Sequence, residues 1–209
     1  MEKIRKNTKI KKIEILKFSL LFVFFGTVMG VISKFLDTTP INELPYLFEI
    51  LDIGNFLSRM AIWIFIGQSI ALFTKSPYRA GLYVLLFFSA MVTSYYLYSH
   101  YVAGFFPYHY AMIWIILTLI SPFLAFIVWL AKGQGKIAII ISALIFSAMF
   151  NLTFSYGIFY FDINNILELI LFIITVLFLK REKKEMIYVI VLGIIMAVIL
   201  NQILPFHFG

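Results

Sequence analysis

Arg59 and Glu168 are opposite charges set in apolar surroundings, and they are the first residues here that could do chemistry. A charge within a membrane-spanning run is strongly unfavourable unless it faces protein or water and finds a partner, so such a residue marks a site by default. A guanidinium holds carboxylates and other anions through forked hydrogen bonds. The two can therefore neutralise each other or hold a small polar molecule between them, with Asp37 as a second acceptor for Arg59. Lys34 and Asp37 close the stretch GTVMGVISKFLD three residues apart, which places them on one helix face. They read as a rim salt bridge or as the mouth of a chamber.

Neutral polar residues recur on the same logic. Tyr96 and His100 share a face, as do Ser147, Asn151 and Ser155, while Asn201 follows Gly193 and Ala197 at helical spacing. In each stripe the more polar members lie toward one end. Gly26 with Gly30, and Gly193 with Ala197, read as helix packing positions. The expected ligand-binding set is Arg59, Glu168, Asn151, Tyr96, His100, Asn201, Lys34 and Asp37, with Arg59 holding an anionic or polar group and Glu168 and Asn151 orienting it. Phenylalanine and tryptophan would wall the chamber.

Other chemistries find less support. His100, His109 and His207 fall toward one end, but their spacing matches no zinc pattern, so no metal or other cofactor is expected. Cysteine is absent, which excludes disulfides and thiolate chemistry. The last apolar run lacks the H-x-x-x-H of the seven-helix zinc hydrolases and the lysine of retinal proteins. Neither H-E-x-x-H nor G-x-S-x-G occurs, and no Walker sequence is present. Glu168 with His100 could support acid–base chemistry, but nothing selects that over a structural pair. In size and in its outward polar chamber the chain is similar to the substrate-binding subunits of energy-coupling-factor vitamin transporters. That group usually has six spans with both ends inside, against the seven counted below.

The elements that must position these residues are membrane helices. The chain is 63% hydrophobic and 13% charged, with a mean hydropathy of +1.00, too few charges to cover a soluble surface. Apolar runs long enough to cross a bilayer fall at 15–36, 56–73, 80–101, 110–131, 137–156, 163–179 and 186–206, the second and sixth being short. The expected fold is one all-α, polytopic membrane domain over 1–209. It begins with a retained first span, since no cleavage site follows the apolar run.

Charge sets the orientation. With the N-terminus cytoplasmic, the inner side carries 15 basic and 4 acidic residues and the outer side 2 basic and 6 acidic, sums of +11 and −4 that return the net +7. Lysine and arginine collect on the cytoplasmic side, so the C-terminus is external and residues 1–14 form a basic cytoplasmic segment. These juxtamembrane positions and anionic lipid account for the basic balance, and no nucleic acid is expected as a partner. In the external loop 38–55, Thr38 or Thr39 before Pro40 reads as a helix start, and Ile41, Leu44, Phe48 and Leu51 mark one amphipathic helix or lid. Pro122 should kink the fourth span. The Ile, Lys, Phe and Asn bias fits an AT-rich bacterial genome, hence a bacterial cytoplasmic membrane. The expected function is non-enzymatic binding or transport of a small polar or amphipathic molecule. An accessory, immunity or sensor subunit with a membrane-protein partner is the alternative, and an enzyme acting on lipid the third reading.

Overall fold

The computed structural model describes residue 5 and residues 11–203. Lys3, Lys6 and Lys9 of the basic segment, the end of the seventh apolar run beyond Ile203, and His207 lie outside the described residues. The helices in chain order are α1 (Lys12–Thr38), α2 (Tyr46–Ile50), α3 (Ile53–Ser58), α4 (Met60–Phe73), α5 (Pro77–Tyr101), α6 (Tyr108–Leu130), α7 (Lys136–Thr153), α8 (Ile166–Phe178) and α9 (Lys183–Ile203). A hairpin of β1 (Phe154–Tyr156) and β2 (Phe161–Ile163) separates α7 from α8.

The chain is thus an all-α protein with one small hairpin. Among the described residues, five helices are long and apolar enough to cross a membrane: α1, α5, α6, α7 and α9. The short second and sixth runs become α4, of 14 residues, and α8, of 13. At 1.5 Å per residue each is roughly 20 Å long, against a hydrocarbon core of about 30 Å. In the chain, α3 directly precedes α4 and the hairpin precedes α8.

Three expectations are corrected here. The fifth helix ends at Thr153, not at 156, so Ser155 belongs to β1 and leaves the Asn151 helix face. The 38–55 segment is not one amphipathic helix: it is a 3₁₀ turn (Ile41–Glu43) followed by α2 and α3. Pro45 offers no N–H and holds Leu44 extended, while Asp52 turns the chain at φ 48°. Thr38 and Thr39 start nothing. Their hydroxyls donate back to Lys34 and Phe35 carbonyls and close α1.

Glycine sets the closest helix contacts. A Cβ on Gly26 would lie 2.2 Å from the Phe87 carbonyl oxygen and one on Gly30 2.2 Å from that of Met91, so α1 and α5 touch backbone to backbone. Gly193 of α9 takes the ring of Phe146 in α7, and Ala197 is fully buried. Pro122 sits inside a continuous α6. It removes the N–H that would reach the Thr118 carbonyl, and Ser121 Oγ donates there instead at 2.8 Å.

At the proximal end, where α1 begins, basic side chains close the last turns of neighbouring helices. Arg5 donates to the Trp129 and Thr74 carbonyls at 3.0 Å each. Lys132 bonds the Phe178 carbonyl and Arg181 the Ala131 carbonyl. Cations near helix C-termini satisfy free carbonyls and the negative dipole end. Burial, reinforced by the neighbouring Arg5 and Arg181 charges, lowers the Lys132 ammonium from its ordinary value.

Candidate functional site

The distal end of the bundle, where α1 and α5 finish and α4 and α6 begin, holds a cavity of about 350 Å³. Lys34 is its defining group. Its side chain projects from the last turns of α1 and is only 3% exposed, yet it lines the cavity. Nζ donates to Asp37 Oδ2 at 2.6 Å and lies 5.0 and 4.6 Å from the ring centres of Tyr95 and Phe105. Asp37 Oδ2 also accepts from the Tyr95 hydroxyl at 3.1 Å. An ammonium has three donors, and among the described residues its one hydrogen-bond acceptor is Asp37. Aromatic faces supply the remaining electrostatic support.

The far wall comes from a break in the second apolar run. At Arg59 the backbone is extended (φ −88°, ψ 157°), which ends α3 and starts α4. The interruption leaves the Leu57 carbonyl without a helical donor, and the Trp63 indole N–H fills it at 2.9 Å. That bond fixes Trp63 across from Trp114, edge to face at 6.5 Å, where both line the cavity. Tyr96 completes the wall.

The same break turns Arg59 toward α8. Its Nε donates to Glu168 Oε1 at 2.6 Å. Glu168 is 1% exposed and Arg59 28%, and Glu168 Oε2 has no partner among the described residues. Deeper along the same two helices, Gln68 Nε2 donates to Thr175 Oγ1 at 2.7 Å in a fully buried contact. The short helices α4 and α8 are therefore joined by two polar rungs. Asn165 caps α8 by accepting from the Leu167 N–H at 2.7 Å.

The eight expected residues fall into separate groups. Lys34, Asp37 and Tyr96 meet in the distal cavity. Arg59 and Glu168 pair with each other and do not line it. Asn151 donates to the Ala197 carbonyl at 3.0 Å and accepts from the Tyr156 hydroxyl at 2.8 Å, tying α7 to α9 and to β1. Asn201 is half-buried, one turn beyond Ala197 on α9. His100 is exposed, in a shallow groove beside Tyr101 and Phe106 that shares only its Tyr96 and Val92 wall with the cavity. No group of three metal-ligating His, Asp or Glu residues occurs among the described residues.

Sequence reasoning overlooked Gln68 and Thr175, although a glutamine in the run AIWIFIGQSIALF is as conspicuous as a charge. It also left Trp63, Trp114 and Phe105 unassigned, because only tertiary packing brings them to Lys34. No protein-family model, no curated protein and no solved structure matches this chain.

Proposed function

We propose that the chain is a single membrane domain with seven crossings, N-terminus cytoplasmic and C-terminus external, that binds a small amphipathic molecule from the outer side in the Lys34–Asp37 cavity. The observation that carries this reading is a buried ammonium lining an open cavity with, among the described residues, one acceptor for its three donors. A ligand oxygen at Nζ would supply what the described residues do not. The volume, about 350 Å³, lies in the range of small-molecule sites, and the aromatic walls suit an organic ligand. Basic side chains capping the proximal helix ends favour binding, or an outward-facing state, over an open pathway through the bundle. The accessory-subunit alternative drew on the Gly26–Gly30 and Gly193–Ala197 stripes, and both are packed inside the molecule.

The test is thermal unfolding of the detergent-solubilised protein against metabolites, lipids and metal ions, with Lys34→Met in parallel. A ligand at 100 times its dissociation constant adds about 2.7 kcal/mol of stability. A compound that stabilises the wild type and not the variant supports the cavity; a screen that shifts neither sinks the proposal. The orientation has a separate test, since the chain has no cysteine. In bacterial cells expressing the protein, a membrane-impermeant maleimide should label Glu43→Cys before permeabilisation and Gln134→Cys only after it. The reverse order would overturn the assignment.

A further inference from the structure

We infer that the ligand of the distal cavity is a zwitterionic amphiphile, with its head at Lys34 and Asp37 and its hydrocarbon tail in an apolar cleft directly beneath. This rests on the binding reading above and names the ligand class. Trp63 and Trp114 line the cavity, and the same two rings line a second space of about 450 Å³ between α4, α5, α6 and α7. Its wall is hydrocarbon apart from Gln68, Thr118 and Ser121, and Gln68 and Ser121 already donate to Thr175 and to the Thr118 carbonyl. The rest of the wall is aliphatic and aromatic. Leu124 and Ile127 of α6 and Leu144 of α7 line this cleft while 53%, 46% and 41% exposed, so it opens sideways between those helices. A tail can enter from the hydrocarbon without crossing water.

The head is specified by charge. Lys34 and Asp37 leave the cavity neutral overall, and a ligand of net charge would leave one charge unpaired beside a Lys34 side chain that is only 3% exposed. A zwitterion interleaves with the pair. Its anion meets Nζ, and its cation meets Asp37 and the rings of Tyr96, Tyr110 and Trp114, which favour an ammonium over their faces. Lipid tails are as apolar as leucine, so the tail adds little preference over bulk bilayer and the head sets selectivity.

The chain has three tryptophans, and Trp63 and Trp114 sit at the junction of cavity and cleft, which makes fluorescence quenching the assay. The probe is a single-chain phosphocholine brominated on the tail, added to the full-length protein in maltoside micelles. Saturable quenching is expected, reversed by dodecyl phosphocholine and reversed only at about tenfold higher concentration by dodecyl sulfate or dodecyltrimethylammonium, a difference of about 1.4 kcal/mol. Ala148→Phe, at a position that lines the cleft and not the outer cavity, should abolish quenching while soluble phosphocholine still raises the unfolding temperature. Quenching that grows with probe mole fraction without saturating overturns the tail site. If soluble phosphocholine stabilises the protein but the bromine never quenches, the tail assignment fails and the binding cavity stands. If no zwitterion, head or amphiphile, acts on the wild type while a singly charged compound does, the head assignment fails.

Discussion

Replacing Arg59 with leucine should destabilise the protein more than replacing its partner Glu168, although the two share one hydrogen bond. Nε lies 2.6 Å from Oε1; at an effective dielectric of about 20 the attraction at that distance is about 6 kcal/mol. Withdrawing both groups from water offsets much of it, so the net worth of such a pair is small while the loss on breaking it is about 3–5 kcal/mol. Exposure divides that range. Glu168→Leu leaves Arg59, 28% exposed, on a long stem that can carry its head toward water, and the expected loss is about 3 kcal/mol. Arg59→Leu strands a carboxylate that is 1% exposed, and the expected loss is about 5 kcal/mol. The double leucine variant should lie within about 2 kcal/mol of wild type, because no uncompensated charge remains. Reversible unfolding in mixed micelles, followed by tryptophan fluorescence, measures all four proteins. A larger loss for Glu168→Leu, or single losses that add to within about 0.5 kcal/mol in the double variant, would refute the reasoning.

Gly30→Ala places a methyl 2.2 Å from the Met91 carbonyl oxygen and from Ser94 Oγ; forcing α1 from α5 should lower stability by about 1–3 kcal/mol in the same assay. Gly54→Ala is the control, since its Cβ would meet nothing closer than 3.4 Å, and it should lose nothing. Gln68→Leu and Thr175→Val should each lose about 1 kcal/mol, the scale of a hydrogen bond between membrane helices. The double variant should lose no more than either single one; additive losses would show that the bond is not made.

The charged pairs were legible because charge in an apolar run has few explanations. Arg59 and Glu168 are isolated, opposite in sign and close to the same end of their helices, and Lys34 and Asp37 meet through spacing alone. Helix ends were harder. FSYGIFYFDI is as apolar as the helix before it, yet Gly157 turns it into a hairpin in which Ser155 and Asp162 are paired across the strands. Apolar content carried the reading past the weaker signal of alternation. In the 38–55 segment the apolar spacing was real, but a proline lacks the N–H that a continuous helix requires, and Pro45 outweighed the pattern. The split of the expected chamber had no sequence signal. Asn151 and Tyr96 have similar depth along their helices, and only the packing of α7 on α9 and of α5 on α1 sends them to different places.

One local event accounts for much of the distal architecture. An unbroken helix through Arg59 would use the Leu57 carbonyl internally, leaving the Trp63 indole without that acceptor, and would set Arg59 on a different bearing. The extended backbone at this single residue instead releases the carbonyl, which fixes Trp63 at the cavity wall, and turns the guanidinium to Glu168. The break and the clamp depend on each other. Without the clamp, α8, a helix of 13 residues, would keep the Gln68–Thr175 bond as its side-chain hydrogen bond to α4; without the break, the clamp would lose its donor's direction. Arg59 pairs with Glu168 and does not line the Lys34–Asp37 cavity. The arginine acts by holding the short helices together so that Trp63 stands between a polar cavity and an apolar cleft.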